Sequence, residues 1–242
     1  MKTLIILLLS IMAQISMGQS LTVIYEESAN IENQLKGITD PEIRKRVSDH
    51  LSSTKSFILS YQDGISSYAP IASAQQNSNL PLQEGAASQK LEIGNNNGSL
   101  YKNHHTKEYL YETDLLGKKF IISDTLQNFN WRLDEEEKII GNFTAKKATA
   151  AIQGEHITAY YAPALAIADG PKDYYGLPGL IVALFTDKRN YQAIEVRQNN
   201  KTVDIRKPTA GEVISKARYE ALLEQKIKEI KQGVGSSIGG IR

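Results

Sequence analysis

Cysteine is absent from all 242 residues. Its absence excludes disulfides, thiol nucleophiles, thiolate metal sites and lipid attachment through a cysteine, so the core alone must hold the fold. An excess of either charge is lacking too: 28 Lys and Arg face 27 Asp and Glu. A balanced surface with no basic stripe excludes nucleic acid as a partner class and gives no reason to invoke an anionic membrane. Tryptophan occurs once, at Trp131. The chain has no G-x-S-x-G elbow, no Ser-x-x-Lys pair in a convincing context and no glycine-rich phosphate or dinucleotide loop. No cofactor is therefore expected, and the sequence leans away from catalysis.

What is present begins with a targeting segment. Lys2 is a positive n-region, Leu4 to Met12 an apolar h-region, and Ser16-Met17-Gly18 a small-residue cleavage site. The apolar run is too short to span a bilayer. Cleavage after Gly18 would leave Gln19 as the mature N-terminus and no membrane span. An exported protein is expected, whether periplasmic, outer-membrane associated or extracellular. Removal of residues 1–18 takes only Lys2 from the charges and leaves 27 basic residues against 27 acidic. Residues 19–233 fit a single domain, followed by a Gly/Ser-rich flexible tail over 234–242.

The mature chain is dominated by short β-prone runs. Leu21–Glu26 and Lys55–Gln62 read as strands. Asp40-Pro41-Glu42 is a helix start: an N-cap, a proline in the first turn and an acid beside it. Ile43, Val47 and Leu51 then follow at helical spacing. Residues 72–88 form a long loop rich in Gln, Asn, Ser, Ala and Gly, and Asn95-Asn96-Asn97-Gly98 is a turn signal. From Ser99 a meander follows: Ser99–Asn103, Glu108–Thr113, Lys119–Ser123, Phe129–Leu133, Lys138–Asn142, Thr144–Ile152 and Glu155–Ala162. Leu116-Gly117 and Gln153-Gly154 punctuate it. Leu180–Thr186, Tyr191–Arg197 and Thr202–Lys207 complete the strands. Thr209 to Glu212 fits a capping box for a last helix that carries Tyr219, Leu222, Leu223, Ile227 and Ile230 on one face and ends near Gly233. The fold class expected is mainly β with α. It is a curled antiparallel sheet or half-barrel of about eight to eleven strands, with a short N-terminal helix and a long C-terminal helix packed on it.

Few residues carry candidate chemistry. His104 and His105 are adjacent, and on a regular strand they point to opposite faces. A metal-assisted hydrolase would need one of them together with His156 and a carboxylate such as Glu155. Asp134-Glu135-Glu136-Glu137 reads as a solvated turn between strands. Trp131, Tyr160, Tyr161, Tyr174 and Tyr175 are the candidate ligand-binding residues, as aromatics lining a concave sheet face; core packing is the competing reading.

Backbone-determining residues are densest over Tyr174-Tyr175-Gly176-Leu177-Pro178-Gly179-Leu180-Ile181. Leu177-Pro178-Gly179-Leu180 predicts a type II β-turn, with Pro178 presetting φ and Gly179 supplying a positive φ. Gly176, Leu177, Pro178, Gly179, Leu180 and Ile181 also spell the hexapeptide that names the GLPGLI family of secreted Bacteroidota proteins, which this chain resembles. Trp131-Arg132-Leu133, Glu137-Lys138-Ile139-Ile140-Gly141 and Lys147-Ala148-Thr149 resemble that family's upstream block. Tyr160-Tyr161-Ala162-Pro163 and Asp169-Gly170-Pro171 resemble its tyrosine-rich strand and its approach to the signature. The likeness is good from Ser99 to about Arg197 and weak outside. Two departures stand out. Phe143 to Lys146 holds no cysteine where the family often has one, and Tyr160 stands where a tryptophan is common.

The resemblance implies export and a mostly β domain, and no established activity. The leading expectation is a non-catalytic envelope protein that binds an apolar small molecule or a partner protein on the concave face. The alternatives are the metal-assisted hydrolase and a structural or assembly accessory of outer-membrane uptake machinery.

Overall fold

The structure, a computed structural model, describes residues 20–71, 98–199 and 201–238, the last eight as backbone only. The targeting segment, the 72–88 loop and the Asn95–Asn97 turn lie outside the described residues. Along the chain run β1 (Ser20–Ala29), α1 (Ile31–Gln34), α2 (Pro41–Leu51), β2 (Lys55–Gln62), β3 (Ile65–Pro70) and β4 (Leu100–Asn103). Next come β5 (Glu108–Leu115), β6 (Lys118–Thr125), β7 (Arg132–Ile140), β8 (Phe143–Ile152) and β9 (Glu155–Ala162). The last are β10 (Leu180–Phe185), β11 (Arg189–Gln198), β12 (Glu212–Ser215) and α3 (Lys216–Ile238). The strands form one open sheet in the order β12-β6-β5-β4-β3-β2-β1-β11-β10-β9-β8-β7. Every pairing is antiparallel except β12 with β6, which is parallel.

Chain reach forces this sheet to curl. In a flat sheet β6 and β7 would lie ten strand intervals apart, about 48 Å at ~4.8 Å each. Only residues 126–131 connect them, and a fully extended link of that length covers about 25 Å. The two wings must therefore bend toward each other. Leu126 and Phe129 in the link are buried.

Local sequence explains the hairpins. Asp63-Gly64, Leu116-Gly117 and Gln153-Gly154 all take positive φ at both positions, the type I′ geometry that matches strand twist. The first of these joins β2 to β3, a strand the sequence reading did not include. In α2, the Asp40 carboxylate accepts from Glu42 N at 2.8 Å and Ile43 N at 3.1 Å, the expected cap. The stripe on that helix is not a core face, however. Ile43 is 42% exposed and no residue of α2 is buried.

Four expectations need correction. The strand breaks placed at Leu133 and Lys138 do not exist, because β7 runs through the acidic stretch with a bulge between Leu133 and Glu137. Asp134 to Glu137 are solvated, but on an edge strand and not in a turn. Residues 202–207 are irregular. Glu212, read as the third residue of a capping box, opens β12 instead: Ile214 pairs with Ile122, and this burial outweighs the local capping signal. Helix α3 then starts at Lys216 and continues past Gly233. It packs against β6 and β12 at the sheet's edge through Tyr219, whose ring meets Phe120 at 5.9 Å.

The signature turn is also different in kind. Gly179 N donates to Leu177 O at 2.8 Å, while Leu180 N donates to Leu165 O at 3.0 Å. The turn is thus a three-residue γ-type closure, and the bond that would make it type II is spent elsewhere. Gly179 has φ +156°, and a Cβ there would sit 2.4 Å from Ala162 O. Glycine is required because the backbone entering β10 lies against the end of β9. Gly179→Ala is expected to destabilise the fold by about 3 kcal/mol or more, read by urea unfolding. A change under about 0.5 kcal/mol would show that this approach is not tight.

Candidate functional site

The segment between β9 and β10, residues 163–179, crosses to the far wing of the sheet and is pinned there by a lysine. Lys102 lies on β4 between Ser66 of β3 and Tyr109 of β5. Strand alternation places it on the same face as Leu100, pointing into the core. Its side chain is wholly buried, as is that of Asp169. Lys102 Nζ donates to the Asp169 carboxylate, to Lys172 O at 2.8 Å and to Gly170 O at 3.2 Å. Three acceptors match the three N–H bonds of an ammonium.

Asp169 is equally saturated. One carboxylate oxygen also accepts from Gly170 N at 2.7 Å, and the other pairs with His104 Nε2 at 3.1 Å. Its carbonyl accepts from Ile181 N at 3.0 Å. Burial opposes ionisation of Asp169, but Lys102 and His104 together outweigh it and hold the carboxyl down at about 2. Tyr25, on β1, sits alongside. Burial and then the Asp169 charge push its phenol well up, so it stays protonated and donates to Ile181 O at 2.6 Å.

Aromatic side chains gather above this ionic group. The His104 ring, 17% exposed, lies 5.0 Å from that of Tyr175. Trp131 Nε1 donates to Tyr175 O at 2.8 Å. Phe129 stacks on Trp131 at 5.3 Å and meets Tyr174 and Tyr175 at 5.3 and 5.8 Å. Tyr174 in turn contacts Tyr191 at 6.0 Å, and Lys107 Nζ stands 6.0 Å from the Tyr175 ring centre. Desolvation raises the phenol pKa of both Tyr174 and Tyr175. The two connections that close the curl, 126–131 and 163–179, thus meet in one half-buried aromatic rim.

Of the five aromatics singled out in sequence, four come together. Trp131, Tyr161, Tyr174 and Tyr175 share a cluster with Leu177 and Ile181. Tyr160 belongs to the other cluster, since neighbours on β9 point to opposite faces. Its hydroxyl donates to Glu136 at 2.9 Å, and Glu136 also accepts from Lys147 at 2.6 Å. Leu177, Leu180 and Ile181 are fully buried, and Gly176 has φ +94°. The signature is therefore a closure device.

The histidines do not assemble as a metal set. His104 is engaged by Asp169, His105 Nε2 meets Asp63 O at 2.7 Å, and His156 lies at the start of β9. Among the described residues, no three His, Asp or Glu side chains are placed to hold a metal ion. The His104 ring has no hydrogen-bond partner among the described residues besides Asp169. Lys102 and Asp169 were not legible as a pair. An inward lysine on a four-residue strand has no mark in sequence, and Asp169-Gly170-Pro171 has the composition of an ordinary turn.

Lys102→Met, leaving Asp169 buried and unpaired, is expected to cost about 3–5 kcal/mol, and the double change Lys102→Met with Asp169→Leu less than that single change. Unfolding curves of the two variants and their parent measure this. Because the folded pKa of Asp169 is depressed, its contribution is present above about pH 4 and lost as pH falls toward 2, a swing of about 2 kcal/mol. Asp169→Asn should lack that acid-limb loss; an identical pH profile in both proteins would contradict the assignment.

Comparison with known proteins agrees with this as a fold and leaves activity open. Among solved structures, two crystal forms of PNGF-II superpose with TM-scores of 0.55 and 0.54. They share 13% and 14% sequence identity, over 85% of this chain and 32% and 33% of theirs. The chain thus spans about a third of the length of those neighbours, and at this identity the likeness is one of fold alone. No curated protein sequence matches. Residues 151–183, which run from β8 through the pinned segment and signature into β10, match the model of a family described as "Protein of unknown function (Porph_ging)".

Proposed function

We propose that this chain is an exported, non-catalytic member of the GLPGLI family, and that it binds a partner protein of the cell envelope through the rim of Trp131, Tyr174 and Tyr175. One observation carries the reading: aromatic side chains from two separate connections converge, half-buried, on a rigid ionic support. Large aromatics held in place by packing are the usual anchors of protein interfaces, since little side-chain freedom remains to be lost on binding. Edge strand β7 continues the surface with exposed Leu133 and Ile139.

Neither of two clefts formed by described residues is an enclosed apolar site. A cleft of about 320 Å³ is lined by Pro70, Gly98, Ser99, Glu112, Asp114 and Lys119 among others, a polar set. A second pocket, of about 40 Å³, is far below the ~300–1,000 Å³ of ordinary ligand sites. No described helix is long and apolar enough to cross a membrane, which leaves strands untested.

Cross-linking through lysines in the native envelope, followed by mass spectrometry, tests the reading. Cross-links to one partner are expected at Lys107 beside the rim, and Tyr175→Ala should remove them while the chain stays folded. Cross-links confined to Lys226 and Lys228 on α3, at the other edge of the sheet, would overturn it. Sequencing of the mature N-terminus is expected to begin at Gln19; a chain starting at Met1 would end the export reading.

A further inference from the structure

The sheet is open, so each of its end strands has one side without a neighbouring strand. At one end β12 is only four residues long, and a short edge offers little to pair with. At the other, β7 runs for nine residues, and all but Ile140 are exposed. Its register shows which backbone groups are spare. Gly141 and Asn142 make up the whole β7–β8 turn, so Ile140 and Phe143, which flank it, exchange both their hydrogen bonds. Antiparallel pairs alternate, and Lys138 with Ala145 is the next pair bonded in this way. Ile139 lies between these two pairs and Glu137 just past the second, so their N–H and C=O groups point away from β8. Among the described residues no other backbone group takes them.

The side chains of β7 sort by face as well. Ile139 stands opposite Thr144, and alternation along β8 puts Thr144 on the face of Ala148, which packs in the cluster of Trp131, Tyr174 and Tyr175. Leu133, opposite Ala148 itself, shares that face. These two aliphatic side chains are 68% and 60% exposed. A strand added to β7 would cover them and lie on the side of the rim.

Charge selects the occupant. Asp134, Glu135, Glu136 and Glu137 line this edge. Glu136 and Glu137 reach back to Lys147 and Lys146 of β8, whereas Asp134 and Glu135 have no ion-pair partner among the described residues. A second copy adding its own β7 would crowd two acidic stretches along one junction, which opposes self-pairing. A strand that carries Lys or Arg among aliphatic residues meets the same edge with opposite charge. The bulge between Leu133 and Glu137 interrupts the ladder, so the docked strand is short.

We propose that β7 receives, by strand addition, a short extended segment of the envelope partner in which basic residues alternate with aliphatic ones. The inference rests on the partner reading above and adds how the partner is held: the rim anchors it, and the outward backbone of Glu137 and Ile139 aligns it.

Ile139→Pro and Glu135→Lys test it in the full mature chain, by the same lysine cross-linking in the native envelope. Proline at 139 removes an outward N–H and no bond to β8, and an edge strand tolerates proline where its N–H faces solvent. Melting curves close to the parent's are expected for both variants. The parent is expected to capture a partner through a basic segment. That capture should be lost in Ile139→Pro and fall several-fold in Glu135→Lys. If Ile139→Pro fails to fold, Glu135→Lys decides, since the Glu135 side chain makes no hydrogen bond or ion pair among the described residues. Undiminished capture in a folded Ile139→Pro would overturn strand addition, and undiminished capture in Glu135→Lys, or a captured segment without basic residues, would overturn the basic occupant. Each of these leaves the rim reading standing if Tyr175→Ala still removes the partner. No captured partner in the parent would overturn both.

Discussion

The contact between Lys102 and Asp169 is the constraint on which the rest of the molecule depends. Two unit charges without solvent are tolerable only when every donor and acceptor is used, and here they are: three acceptors surround the ammonium, and three donors surround the carboxylate. The result is a bond that joins β4 to the connection before β10. A hydrophobic contact would tolerate sliding; a saturated ion pair has one geometry. It sets the position of Gly170, Pro171 and Lys172, and through the Asp169 carbonyl it sets the entry of Ile181 into β10.

That pin works because the sheet is already bent. A twelve-stranded sheet joined across its two wings by six residues has no flat solution. Curling brings β4 within reach of the β9–β10 connection, and the connection then adds residues to two apolar clusters. Leu165 and Ile167 pack with Leu21, Val23 and Tyr25 in one cluster, while Leu177 and Ile181 pack with Phe129 and Tyr161 in the other. The connection thus contributes to packing on both sides of β9 and β10, and the aromatic rim lies where it meets residues 126–131.

The aromatic rim and Lys172 rest on this clip. His104 touches Asp169 on one side and Tyr175 on the other, and the Lys172 carbonyl receives the buried lysine. Rigid support from below lets half-buried aromatics and a left-handed lysine keep their places. The carboxylate of Asp169 is held ionised deep in the core, and the imidazole it orients faces an aromatic ring.

Much of the architecture was legible in the residues. Alternation and turn chemistry mark β1, β2, β8, β9 and β11, and Leu116-Gly117 and Gln153-Gly154 name their own hairpins. Asp63-Gly64 carried the same signal for β3 and could have been read. Asp40-Pro41 determined a helix start because capping is a contact within four residues. Gly179 marked an indispensable glycine, although for a reason beyond any local turn rule. Tertiary structure alone decided the rest. Glu212 to Ser215 became a strand because β6 offered an open edge and a buried place for Ile214. The type II turn gave way because Leu165 supplied a better partner for Leu180 N. Lys102 found Asp169 across 67 residues of chain. Patterns of period two and local caps follow from the chain's own geometry, whereas the value of burying a charge depends on which distant group meets it, and only the folded sheet brings the two together.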